Sequence, residues 1–346
     1  MDAGPDAGTK LSFLPTVNDL IHARSFALDG KGQAYCGQSI DEINAAIADP
    51  NGHIWVDIDN CEPTQVELLK SIKGLHPLAV EDALAMNSRP KLEEFPGYLF
   101  LIIIGVRFHE KTPDPYDLQT FDLCFFLGPN FLITVHGGPS TAVDDVVARI
   151  EKNTDLLSRG VDRLSHAIMD GAVDAYFPLL DKIDEFVDTL EQRVVIEFDQ
   201  AALPEIFAIK RLVLSLRRHV GPEREVFNIL TNRPSKLLSP DSQVYFRDIY
   251  DHVLRINDSI ETYRDLLSSV LDSYLTQVSN RLGRVTKGLS VIATLSIPFV
   301  VISGMWGMNF EHIPLSGHPH AFWIMLGLQL AIGVVLLIIL RVWKLL

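Results

Sequence analysis

Two apolar runs near the C-terminal end stand apart from the rest of the chain. Residues 288–306, GLSVIATLSIPFVVISGMW, are 19 positions without a charge, and residues 321–340, AFWIMLGLQLAIGVVLLIIL, are 20 more. A bilayer core takes about 20 apolar residues in helical form, so both runs are predicted to span a membrane. Only the 14 residues 307–320 separate them, which predicts a hairpin. Upstream, the 42 residues from Asp241 to Leu282 contain neither Gly nor Pro. Apolar positions recur there at Val244, Ile249, Val253, Ile256, Ile260, Tyr263, Leu267, Val270, Tyr274, Val278 and Leu282, mostly three or four apart. This is a coiled-coil-like stripe. It enters the first run without a break and predicts one helix of ~95 Å through Ser303, at about 1.5 Å per residue. So long a stripe predicts neighbours from other copies of the chain.

The earlier part divides in two. Up to residue 137 the runs GHIWVDIDN (52–60), YLFLIIIGVRF (98–108), FDLCFFLG (121–128) and NFLITVHG (130–137) are short, β-branched and aromatic, as strands are. Helical patterns lie between them at 39–49 and 63–74, the second opened by Pro63 and closed by Gly74. From residue 138 to 240 the apolar period is helical throughout. The predicted order is an α/β domain (1–137), a helical region (138–240), a long stalk helix (241–306), a loop (307–320), a second span (321–341) and a tail (342–346).

Charge sharpens this picture. The 346 residues carry 30 Lys and Arg against 44 Asp and Glu, a net charge of −14. Five of the basic and one of the acidic residues lie in 281–346, which leaves 25 against 43, a net −18, in 1–280. Such a field attracts cations and opposes nucleic-acid binding. Arg281, Arg284 and Lys287 precede the first span and Arg341 and Lys344 follow the second, whereas the loop has no Lys or Arg. Both termini are therefore expected on the cytoplasmic side of a cell inner (plasma) membrane, with the loop outside. The N-terminal residues lack the pattern of a secretory signal. Cys36, Cys61 and Cys124 form no CxxC pair and fit a reducing compartment. No catalytic motif is present, and the reading is not that of an enzyme.

The first span ends at Gly307-Met308-Asn309, and in this position the triplet resembles the signature of the CorA family of divalent-cation channels and transporters. HPLAVEDAL (76–84), RPKLEEF (89–95), GPNFLITVH (128–136), YFPLLDKIDE (176–185), REVFNILTN (224–232), YFRDIYDH (245–252) and IETYRDLLSSVLDSYL (260–275) are similar to the family as well. The resemblance implies a funnel-shaped homopentamer whose first spans line a pore. It implies inward passage of hydrated Mg2+, often also Co2+ or Ni2+. Gly307, Met308 and Asn309 would form the selectivity filter, with Glu311 retained in the loop. Mg2+ keeps its water reluctantly exchanged, so a ring of neutral Asn309 amides suits a hydrated ion. Gly307 is expected to provide a backbone turn closed to other residues.

Helical spacing back from Asn309 passes Val301 or Val300, Ile297, Thr294, Ser290, Thr286 and Gly283, with no carboxylate. The resemblance places Thr286, Leu289 and Ile297 at gates and makes Pro298 the bend of the span. An Asn is usual in the family where this chain has Gly283, a Met where it has Thr286, and a Thr where it has Val300. The resemblance further implies a regulatory Mg2+ site between subunits, with Asp82 and Asp248 facing each other and Glu81 and Asp174 beside them. His312, His318 and His320 crowd the loop, and imidazole favours Zn2+, Co2+ and Ni2+. Two other readings remain: proton-linked Zn2+ transport like the ZntB branch of the superfamily, and a membrane-anchored cation sensor that does not conduct.

Overall fold

The apolar runs before residue 137 become strands buried on both faces. The computed structural model describes residues 24–60, 63–85, 88–108, 118–233, 237–239, 241–308 and 317–343. Among these, β1 (Arg24–Leu28), β2 (Ala34–Cys36), β3 (His53–Asp59), β4 (Lys91–Phe95), β5 (Tyr98–Phe108), β6 (Leu118–Leu127) and β7 (Phe131–His136) form one sheet. Its order is β2-β1-β3-β7-β6-β5-β4, with β3 parallel to β7 and the other neighbours antiparallel. Helices α1 (Ile40–Ala48), α2 (Pro63–Ser71) and α3 (Pro77–Leu84) cover one face. There Ile43, Leu69 and Ala79 join Ile54, Val56, Phe100 and Ile133 in one core. Trp55, Leu101, Phe125 and Leu132 alternate with that set and are buried on the opposite face. Burial on both faces is why these strands read as unbroken apolar runs.

Local chemistry fixes several of these elements. Ser39 and Glu42 cap α1 reciprocally, the Ser39 N–H donating to the Glu42 carboxylate at 2.7 Å. A Cβ on Gly105 of β5 would lie 2.3 Å from the Phe121 ring of β6, so only glycine fits that register. On the second face Asp57 accepts from Arg24 at 2.8 Å and from the Thr134 hydroxyl at 2.6 Å. His136 places Nε2 3.2 Å from Asp57 and Nδ1 2.7 Å from the Gly138 carbonyl. Both ring nitrogens face acceptors, which calls for a doubly protonated ring. Burial opposes that charge, yet Asp57 prevails and the His136 pKa is raised.

The remaining elements are helical: α4 (Thr141–Lys152), α5 (Asp155–Ser158), α6 (Val161–Asp174), α7 (Tyr176–Gln192), a π-helical turn Arg193–Glu197, α8 (Ala202–Asn232), α9 (Ser242–Trp306) and α10 (Ala321–Val342). Helices α6 and α8 pack on the second face of the sheet. The break between α6 and α7 falls where Pro178 can sit in a first helical turn, whose N–H groups have no intrahelical partner. The chain forms two compact units: Gln192–Gln200 with Val270 onward, and the other described residues. Helix α9 contributes to both and, at 65 residues, is ~98 Å long.

The stripe on α9 departs from expectation. Ile249, Val253, Ile256, Ile260 and Leu267 are at most 1% exposed within the single chain, and Tyr274 is 7% exposed, whereas Leu282 is 65% exposed. Most of the stripe thus needs no second copy to cover it. Only its ends, at Val244, Val278 and Leu282, are left exposed.

Candidate ion pathway and cation cluster

Helices α9 and α10 are each long and apolar enough to cross a membrane. They meet where Gln329 Nε2 donates to Ser303 Oγ at 2.9 Å. At Gly333 a Cβ would lie 2.8 Å from the Phe299 ring, so the helices touch closely there. At about 100° per residue, Phe299, Ser303 and Trp306 share one side of α9. Thr286, Ser290, Thr294, Ile297 and Val301 fall on the opposite side, with Leu289 and Val300 on its flank. The charge-free stripe therefore faces away from α10. Thr294 donates its hydroxyl to the Ser290 carbonyl at 2.8 Å, so that hydroxyl is held by its own helix.

Gly307 closes α9 with its N–H on the Ser303 carbonyl at 3.0 Å. Its φ lies outside the left-handed region, and a Cβ there would meet the Ser303 oxygen at 3.3 Å. The glycine is thus a matter of close approach rather than of a turn closed to other residues. Met308 is half-exposed. Asn309, Glu311 and His312 lie outside the described residues. His318 and His320 are exposed, with ring centroids 6.1 Å apart.

In the other unit, His76 caps α3, its Nδ1 accepting from the Leu78 N–H at 3.2 Å. Ala79 and Ala83 are buried against the sheet, which turns Glu81 and Asp82 outward. Asp82 is not an isolated acid. Lys91 of β4 donates to its Oδ2 at 2.7 Å and also to Glu93 at 3.0 Å. A cation at Asp82 must share it with, or displace, that ammonium.

Asp174 ends α6 and accepts from His252 Nδ1 of α9 at 2.9 Å. Asp170, one turn back on α6, joins them, and the three offer ligand atoms within 4.8 Å of one another. Asp248 lies one turn before His252, is exposed, and is close enough to act on Asp170 and His166. Burial, then the neighbouring Asp174 charge, pushes the Asp170 pKa up. Asp170 Oδ1 is buried without a hydrogen-bond partner. An orphaned carboxylate oxygen among like charges is what a bound cation relieves. The donor set of carboxylates and one imidazole fits a divalent ion, and the imidazole widens its range to Co2+, Ni2+ and Zn2+. Asp170 and His252 escaped the sequence reading, although each stands four residues from a residue that it named. That spacing was the available signal. Lys91 gave none.

A family model described as CorA-like Mg2+ transporter protein matches residues 50–341. The chain belongs to that family. It is 32% identical over 286 residues to the cobalt/magnesium transport protein CorA of Thermotoga maritima, covering 82% of this chain and 81% of the relative. It is also 32% identical over 284 residues to the putative metal ion transporter YfjQ of Bacillus subtilis, covering 82% and 87%. The complete structure of the CorA magnesium transporter from Methanocaldococcus jannaschii shares the fold, with a TM-score of 0.78 at 20% identity, over 92% of this chain and 97% of that one. The protein is thus a CorA-family divalent-cation transporter and a membrane protein, in a transporter family rather than an enzyme one.

Proposed function

We infer that the chain assembles as a homopentameric channel carrying hydrated Mg2+ into the cell, with Co2+ and Ni2+ as further cargo. The observation that carries the reading is the stripe Thr286–Val301, small or apolar, free of carboxylates and facing away from α10. Five such stripes around an axis make a pore that holds no bare divalent ion and can close by dewetting. Asn309, just past Met308, supplies the polar oxygens at its mouth, with Gly307 shaping the approach. Leu289 and Ile297 narrow the pore along its length. Both termini face the cytoplasm, and the loop with Glu311 faces outward.

Regulation would rest on the acids of the cytoplasmic unit. Asp82 and Glu81 of one subunit and Asp248 and Asp174 of the next would share Mg2+, which holds the closed form. Asp170 and His252 add donors to the same cluster. Binding shifts such a gate only by its differential affinity for the closed state.

His252 in that cluster favours one competing reading, transport of Zn2+ linked to protons. Uptake of Mg2+, Co2+, Ni2+ and Zn2+ into proteoliposomes, with and without a pH gradient, separates the two. Mg2+ uptake indifferent to the pH gradient is the expected result. Zn2+ uptake that needs the gradient, without Mg2+ uptake, would overturn it.

A further inference from the structure

The turn between α7 and α8 is built in an unusual way. Helix α7 runs into the π-helical turn Arg193–Glu197, and Phe198 then adopts φ 49 and ψ 63, a left-handed conformation rare for a non-glycine residue. The surroundings hold it there. The Phe198 ring stacks on Tyr274 at 5.9 Å between centroids, and the Arg281 guanidinium sits 5.3 Å from the ring. Arg193 Nε donates to Asp199 at 3.1 Å, and the Asp199 N–H donates to the Arg193 carbonyl at 3.2 Å. Strain kept by several independent contacts points to a use for the conformation. Its consequence is visible in burial: Val194 is fully buried, whereas Val195 is 49% and Ile196 78% exposed. A braced turn thus presents two adjacent apolar side chains outward.

The setting indicates what they meet. Arg281 stands seven residues before Gly288, where the charge-free run begins. That is ~10 Å along α9. The headgroup layer on each side of a bilayer core is about 5–8 Å deep, which puts Arg281 just at its outer face. Arg281, Arg284 and Lys287 are all exposed, and no acid occurs between Asp272 and Glu311. A basic collar of this kind attracts anionic lipid. The acids of the turn are Glu197 and Asp199, the latter paired with Arg193. We propose that Val195 and Ile196 dock into the headgroup layer where α9 enters the membrane, beside anionic lipids gathered by Arg281, Arg284 and Lys287. The proposal rests on α9 and α10 being membrane spans and is independent of which ion is carried.

The test uses the full chain in phosphatidylcholine nanodiscs, with and without phosphatidylglycerol. Cys36→Ser and Cys61→Ser remove two thiols, and Ile196→Cys carries a fluorophore, with Val244→Cys as the exposed control. Headgroup spin-labelled lipid should quench the label at 196 severalfold more than at 244, and more strongly with phosphatidylglycerol. Arg284→Gln should weaken that phosphatidylglycerol dependence. Equal quenching at the two sites would overturn the proposal. So would a label at 196 shielded from both lipid and aqueous iodide, which would assign the surface to a second copy of the chain. Quenching by acyl-chain bromine of the native tryptophan emission, to which Trp306, Trp323 and Trp343 contribute, checks the spans separately. Its absence would point to failure of the membrane reading rather than of the docking turn.

Discussion

The two units bury their apolar residues in opposite ways. In the α/β unit Trp55, Phe100, Phe125, Tyr176 and Phe246 are sealed from solvent by their own chain. In the other unit Leu289, Ile292, Ile297, Val300, Phe322 and Trp323 all stand 58% to 70% exposed. One helix, α9, takes part in both. As far as Leu267 it is amphipathic and its apolar stripe is covered. From Gly288 it is apolar all round, the pattern of a helix whose surroundings are lipid and protein. The first unit can therefore fold on the strength of its own core. The second keeps an apolar surface of the kind that a bilayer covers.

The sharpest way to break this contrast is to shorten one leucine in each region. Leu267→Ala should cost ~2–5 kcal/mol of stability, because it leaves a cavity in a filled core. Leu282→Ala should cost under ~0.5 kcal/mol, because it removes an exposed side chain. Thermal unfolding in mild detergent measures both. An equal loss at Leu282 would mean that other copies cover the lower end of the stripe as tightly as the chain covers its middle.

Within the second unit, the proposed pathway predicts that conduction depends on the pore mouth rather than on each polar group of the stripe. Asn309→Ala should lower Mg2+ uptake more than ~10-fold, or about 1.4 kcal/mol, while the protein still assembles. Thr294→Val should change uptake little, since the Thr294 hydroxyl already serves the Ser290 carbonyl. Wild-type uptake by the Asn309 variant would place selectivity elsewhere.

Within the first unit an acid and a lysine are predicted to respond in opposite directions when replaced. Asp248→Ala should require several times more Mg2+ to close the channel, read as flux against internal Mg2+. Lys91→Gln should do the reverse, because it removes the ammonium competing for Asp82. A partly exposed pair of this kind is worth ~0.2–1 kcal/mol, so Mg2+ should close the Lys91 variant at a concentration lower by up to ~5-fold. If Lys91→Gln also weakened closure, Lys91 would be organising the site rather than competing for it.

The difference between the units also explains what could be read from residues alone. Strands β3, β5, β6 and β7 lie in the sheet interior and announce themselves as apolar β-branched runs. β2 has three residues, β4 reads KLEEF with two exposed acids at a sheet edge, and β1 is the five residues RSFAL, so none of the three carried a pattern long enough to read. Helices α6 and α7 share one periodicity, and only three-dimensional packing separates them. The spans were plain because lipid demands an uninterrupted run. At the cation cluster, Asp82, Asp174 and Asp248 came from resemblance. Asp170, His252 and Lys91 came from the fold: the first two meet Asp174 across α6 and α9, and Lys91 of β4 meets Asp82 of α3.

The smallest effect expected concerns a buried acid of the first unit that takes no part in ion binding. Glu223 of α8 is 1% exposed and accepts from the Ile104 N–H of β5 at 2.5 Å, while the Tyr176 hydroxyl donates to the Ile104 carbonyl at 2.9 Å. β4 pairs with β5 only as far as Ile102, so these two side chains stand in for a missing strand partner. Burial pushes the Glu223 pKa up to about 8. An unfolded Glu titrates near about 4.3, so the folded state holds the proton more tightly. The stabilisation from the protonated form is therefore complete below that lower pH and is lost as pH rises toward 8. Glu223→Gln keeps an acceptor oxygen for Ile104 and cannot ionise. Its stability should fall less steeply than the parent's between about pH 4.3 and 8, by up to one proton's contribution to the slope. Mg2+ uptake at fixed pH should stay the same. Melting curves taken across that window read the slope directly, and parallel profiles for the two proteins would mean that Glu223 is ionised in the fold and held by charges that the Ile104 and Tyr176 contacts do not provide.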